Sequence, residues 1–418
     1  MRAFRPIALT ASLLALAAAG AVVGKATAAS DLVGHLSVND NTADAKTIAA
    51  FDRHVGAQSA QVDDSSGASA TNASAVFVQT NEPSGNRIVV YDRSADGRLT
   101  FAGTYATGGN GGVALPGTES DHLASQGSLL FDGGHKLLIA VNAGSDTVSS
   151  FRVQGDRLEL RSVVSSGGQF PASVSVHDNL AYVLNSGGTG IVQGFRVDAN
   201  GLRPIPGSAR TLALANTDPP FFLTSPGQVG FTPDGQQLIV TTKASGSMID
   251  VFQVEPGGTL SPTPVQNPSA TPVPFAFTFT PSNRLADGEA GISAVSTYAV
   301  GSDGSLTDPK SLSDGQAALC WIQRARDVYY VANTGSDTLS GYRIGADGQP
   351  TLIGATGIVA VTESGPIDLT SPSDSHFLYG ETGISGTVDE YRVNDDGTLT
   401  KLGVVTGLPP GLEGIAST

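Results

Sequence analysis

Glu289 and Glu381 are the first residues in this 418-residue chain that ask for a chemical explanation. They end two short strings at a position where related strings carry Asn81, Asn142, Asn185 and Asn333, with Thr242 in the seventh. An asparagine at a strand end can cap the following turn through its side chain, as in an Asx turn. Glutamate is a poorer turn residue, so the two exceptions point to another role. A second row, at the start of neighbouring strings, holds Gln126, Ser173, Gln228, Ala276, Leu319-Cys320, Asp368 and Glu413. Gathered at one place, Glu289, Glu381, Asp368 and Glu413 would raise one another's pKa and could take a proton from water attacking an ester or lactone carbonyl. The same oxygens would suit a hard divalent cation such as Ca2+, although nothing in the sequence requires a cofactor. The plain alternative is four solvated loop carboxylates.

"GTESDHLASQGSLLFDGGHK" at 117–136 adds His122, which could reach the same place as a general acid or base. A lone loop histidine is otherwise solvated or bonded to backbone. Gln126, Gln228, Asn142, Asn185 and Asn333 are the candidate binding residues. "GGNGG" at 108–112 lacks the helix and lysine of a phosphate-cradling loop. The chain has no G-x-S-x-G elbow, no H-E-x-x-H and only one cysteine, Cys320, in an apolar run. Serine-hydrolase, zincin and disulfide-framework readings are therefore disfavoured, and a buried, inert thiol is expected.

These rows depend on elements that repeat. Tyr91, Phe151, Phe195, Phe252, Tyr298, Tyr342 and Tyr391 each end a short alternating string, 44 to 60 residues apart. Turn strings recur behind them, such as "SADGRLT", "GSDGSLT" and "NDDGTLT", whose Asp-Gly pairs tolerate the positive φ of tight hairpins. Hairpins at a period of roughly 40–50 residues predict a propeller. We therefore expect an all-β fold, a seven-bladed β-propeller of four-stranded blades over 75–418. "AVFVQTN" lacks a first strand before it, and the C-terminal "GLEGIA" reads as an orphan first strand. Pairing of that strand with 76–80 would close the ring and leave only short edges. The weakest blade is 275–312, where "RLADGEA" is a poor second strand, and in 225–264 the outer strand is expected to begin near Leu260.

The "YVxN"-like second strands, "GSDTVSSFRV", "FTPDGQQLIVTTK" and the "DGxLT" turns resemble those of the lactonase-family seven-bladed propellers. That family includes propeller-type 6-phosphogluconolactonases and carboxymuconate cyclase-like proteins, and related strings occur in YVTN-repeat surface-layer proteins. The resemblance covers the whole of 75–418. It implies that the working face is the one where inner strands begin and second strands end, at the channel mouth. The leading expectation is a secreted lactonase-like hydrolase of a small cyclic ester or related carbonyl compound. A non-catalytic binding or scaffold propeller of the cell envelope is the alternative. A cyclase or isomerase of an unsaturated acid would need basic residues at the mouth, where Lys243 and Arg324 are the candidates.

Composition supports an exported propeller. "MRAFRPIALTASLLALAAAGAVVGKATAAS" has the charged, apolar and small-residue order of a secretory signal over 1–29, a departure from the cytosolic sugar-phosphate members. Residues 30–74 are small and polar and read as a flexible extension. No later stretch is apolar enough to span a bilayer. The net charge is −15, about −18 without the leader's three cations, which argues against nucleic acid as a partner. A small-molecule substrate and a monomeric chain are expected.

Overall fold

A computed structural model of the protein describes residues 74–115 and 119–418. The predicted leader and extension lie outside them, apart from Ser74, which opens the first strand. The chain forms seven antiparallel sheets. From the centre outward the first blade runs Ile415–Ser417, Ser74–Gln79, Arg87–Arg93 and Leu99–Ala106. The other six blades begin at the axis with Leu129–Asp132, Pro171–His177, Val229–Phe231, Pro274–Phe279, Leu319–Ala325 and Pro366–Thr370. The outer strands of the third and sixth blades are each broken into two pieces. No helix among the described residues is long and apolar enough to cross a membrane.

The ring closes as the orphan strand predicts. Val76, Phe77 and Val78 pair with Ser417, Ala416 and Ile415. Gln79 N donates to the Gly414 carbonyl at 2.8 Å, and Thr418 N donates to that of Ala75 at 3.1 Å. The first and last parts of the chain therefore share one sheet, whose edge does not remain open.

The fifth blade is not weak. Arg284–Glu289 pairs along its length with Pro274–Phe279 and Ala294–Val300. Its polar residues fit because Asp287 is fully buried with neither carboxyl oxygen bonded. Burial first, and Glu289 second, push its pKa well up, so it sits in the sheet as a neutral acid. In the fourth blade, Leu260 makes only an isolated bridge to Val254, and the outer strand is Val265–Pro268.

Packing lies mostly between blades. Leu137, Ile139 and Val148 of the second blade, for example, bury against Val174, Val183 and Phe195 of the third. Two polar devices set the seams. At the face away from the mouth, Tyr182, Tyr330 and Tyr379 donate their hydroxyls to the carbonyls of Gly258, Gly397 and Gly97 in the next blade, at 2.7–2.9 Å. Gly97 and Gly397 have φ of 92° and 90°, and a Cβ on Gly97 would run into the Phe377 ring. The "DGxLT" glycine thus both permits the turn and makes room for the neighbour. At the mouth, Asp146 and Asp337 of the two "GSDT" turns accept from Phe170 N and Gly365 N, where the next blade begins, at 2.7 and 2.8 Å.

Removing residues 415–418 should cost about 4–6 kcal/mol, from Ile415's burial and the lost ladder bonds. Tyr379→Phe should cost only about 1 kcal/mol. Denaturant unfolding monitored by circular dichroism checks both, and a silent truncation would contradict the closure.

Candidate active site in the central channel

The mouth is built from bulges. In the seventh blade Pro366 pairs with Thr382 and Leu369 with Gly380, so Ile367 and Asp368 together oppose Glu381. Such a bulge re-aims a side chain out of the ladder. Asp368 is 3% exposed, and its Oδ2 is buried without a hydrogen bond. Glu381, fully buried, accepts from Gly414 N at 2.9 Å through Oε2 and leaves Oε1 unbonded. Glu413 is carried by the turn that precedes the closing strand and accepts from Leu123 N at 2.6 Å.

The segment before the second blade fills the mouth. Leu123, Ala124 and Ser125 are fully buried inside the ring. Lys243 Nζ donates to the Ala124 carbonyl at 2.6 Å, and Trp321 Nε1 donates to that of Ser125 at 3.0 Å. Ser125 Oγ donates to the Ala172 carbonyl at 2.8 Å. Gln126 crosses further, its N donating to Gly227 at 3.0 Å and its Oε1 accepting from Ile322 N at 3.0 Å. The Ser120 carbonyl lies so close to Gly383 that a Cβ there has no room. Blades one, three, four, six and seven therefore all hold this plug.

The plug brings in Asp121, whose carboxyl lies within hydrogen-bonding reach of that of Glu413. Burial is the main cause that pushes Glu413, Asp368 and Glu381 well above the carboxylate range, and neighbouring acids push them further. Asp121 also rises by burial, but Lys243 opposes the shift. Lys243 itself is 1% exposed and bonded to the Phe222 carbonyl and Ser225 Oγ as well as Ala124. Burial lowers its pKa to about 8, against the attraction of Asp121, Cys320 and Glu413. One cation thus faces a group of acids whose pKa values burial and mutual repulsion raise.

The structure gathers Glu381, Asp368 and Glu413, but not Glu289. Glu289 is fully buried in the fifth blade and accepts from Ser269, Thr271, Ser296 and Tyr298, which consume both oxygens. His122 lies on the plug with its ring over Gly411, and its carbonyl accepts from Ala114 N at 2.7 Å. The asparagines brace their own hairpins. Asn142 and Asn333 donate to Thr147 and Ser149, and to Thr338 and Ser340. Asn185 donates to the carbonyls of Ser166 and Ile191. Gln228 is clamped to the Phe277 backbone through both amide atoms. Cys320 is partly buried, and burial holds its thiol well above its ordinary pKa. Among the described residues no three His, Cys, Asp or Glu side chains form a metal-holding group.

Below the plug the axis is a channel of ≈340 Å3 lined by all seven blades, with Gln126, Gln228, Gln323, Asp368, Thr278 and Ser175 among its polar groups. Asp368 is the only acid on its wall. Larger grooves of ≈770 and ≈880 Å3 lie at the outer seam of the first and seventh blades, and neither includes a predicted site residue. Sequence reasoning noticed Lys243 only as a modest basic candidate and missed Asp121 as a partner of Glu413. The unusual length of 117–136 was the available signal.

No protein-family model matches the chain, and no curated protein sequence matches it. Solved structures do. The periplasmic gluconolactonase of Pseudomonas aeruginosa superposes with a TM-score of 0.62 at 18% identity, over 82% of this chain and 98% of that one. A candidate 6-phosphogluconolactonase of Bacteroides fragilis gives 0.63 at 15%, over 85% and 100%. A protein from Lactobacillus plantarum gives 0.61 at 17%, over 82% and 98%. The structural neighbours are thus gluconolactonase-like propellers, and at these identities the likeness speaks for the fold.

A buried acid with a raised folded-state pKa binds its proton in the folded chain at pH values where the unfolded chain has released it. Stability therefore falls as pH rises from the ordinary carboxylate range toward the raised value. Glu381→Gln removes one such proton and should narrow the stability gap between pH 5 and pH 8, read by denaturant titration at each. Lys243→Met should cost about 3–5 kcal/mol. It should also red-shift the emission of Trp321, the only tryptophan, because the plug it bonds would loosen.

Proposed function

We propose that the protein is a secreted lactonase-like hydrolase that opens a small cyclic ester by water attack in the central channel. The observation that carries this reading is the Asp368 carboxyl on the channel wall, with its Oδ2 unbonded, backed by the buried Glu381 and Glu413. A channel of ≈340 Å3 is at the lower end of the roughly 300–1,000 Å3 of small-ligand sites. Ionised Asp368 takes a proton from water as its oxygen adds to the lactone carbonyl. Collapse of the tetrahedral adduct breaks the ring C–O bond, and the proton passes to the departing alkoxide. Protonated neighbours keep the local negative charge low enough for Asp368 to ionise. The gluconolactonase-like structural neighbours support the same reaction class, and the apolar N-terminal string supports export.

A binding propeller of the cell envelope without turnover is the second reading. The full burial of Glu381 and Glu413 under the plug favours it.

Asp368→Asn should lower kcat on a panel of five- and six-membered lactones by about 100- to 10,000-fold, and Glu381→Gln should lower it less. Because Asp368's pKa is raised and its ionised form is the base, the wild-type rate should climb with pH above the ordinary carboxylate range. Undiminished turnover in both variants would sink the acid-site mechanism. Ligand binding without any lactone turnover would select the binding propeller.

A further inference from the structure

We propose that the channel takes an uncharged, hydroxyl-bearing ring compound, admitted at the end away from the plug, and rejects its phosphorylated or otherwise anionic forms. The inference rests on the hydrolase reading for the fate of this ligand, but its binding stands on the channel wall alone. Among the described residues none of those lining the channel is Lys, Arg or His. The nearest buried cation, Lys243, cannot serve, because its ammonium is held by Ala124, Phe222 and Ser225.

What the wall does offer suits hydroxyl groups. The Oδ2 of Asp368 accepts no hydrogen bond, the Nε2 of Gln126 donates none, and Thr278 keeps a free hydroxyl on the partly exposed part of its strand. Phe131 and Phe279, also partly exposed, add apolar surface for the C–H face of a ring. A phosphate placed among these groups would be stripped of water with no counter-charge and would face Asp368. The chain's net charge of −15 adds a repulsive field. A site made of hydrogen-bonding and apolar groups therefore selects against charge rather than for it.

The route follows from the plug. Leu123, Ala124 and Ser125 are fully buried across the mouth, whereas the channel wall continues past Asp368 to Thr370 and Ser417, whose hydroxyls meet at 3.0 Å.

Calorimetric titration of the full chain with glucose, glucose 6-phosphate and glucosamine tests the proposal, since these share one ring and differ in charge. Glucose should bind, and glucose 6-phosphate should bind at least about 100-fold more weakly. A phosphate ester that binds as well as glucose, a glucosamine that binds more tightly, or no glucose binding would each overturn it. Thr278→Lys should strengthen glucose 6-phosphate binding by about tenfold or more, with Ser417→Lys as the second variant should the first lower the melting temperature. Unchanged phosphate-ester binding in a folded variant places the ligand outside the channel and also overturns it. If wild type shows the glucose preference yet hydrolyses no lactone, only the hydrolase reading falls.

Discussion

Each blade of this protein is a four-stranded sheet that cannot bury its own faces, so everything depends on how one blade meets the next. Polar bonds fix the meeting in several seams: a tyrosine in three of them, an aspartate in two, and both where the sixth blade meets the seventh. Away from the mouth, a tyrosine hydroxyl reaches the carbonyl of a turn glycine in the following blade. At the mouth, the aspartate of a "GSDT" turn receives the first amides of that blade. Between them lie apolar side chains from both blades. The repeated strings are therefore contact surfaces written once per blade, and the closing strand Ile415–Ser417 makes the last contact equivalent to the others.

Closing the ring leaves a central axis, and one end of it is filled by the segment before the second blade. Residues 120–126 bring amides and carbonyls into the ring, where the side chains of Glu413, Lys243 and Trp321 meet them, while Ser125 and Gln126 bond the backbone of Ala172 and Ile322 in return. The acids there are buried with them. Their cost is limited by protonation and by a single buried lysine, since ionising all of them together in a low dielectric would be prohibitive. The same arrangement leaves one acid, Asp368, at the boundary between the plug and the open channel. Burial first, and Asp121 second, push its pKa well above that of a surface carboxylate.

The repeat was largely legible in the sequence because β-hairpins carry their signals locally. Alternation, aromatic strand ends and Asp-Gly turns lie within a few residues of one another. The fifth blade was undervalued because polar letters in "RLADGE" suggest exposure, whereas Asp287 enters the sheet neutral and Glu289 is surrounded by hydroxyls. The asparagine slot was informative for turns, and its two exceptions had different causes. Glu381 turns to the axis, where Gly414 N meets it, while Glu289 turns into the loop holding Ser269 and Thr271.

The amino-acid order alone determined the blade, its count and the way the ring closes, because each rests on short-range pattern and on a matching pair of chain ends. It also marked Glu289 and Glu381 as exceptions to the asparagine row and set Asp368 and Glu413 beside them as candidate acids. Only the tertiary structure decided that Glu381, Asp368 and Glu413 converge while Glu289 does not, and that Asp121 and Lys243 join them. The contacts of the plug with Glu413 and Lys243 link residues more than a hundred positions apart. Burial of that kind is a property of the closed ring, and no local pattern in the chain carries it.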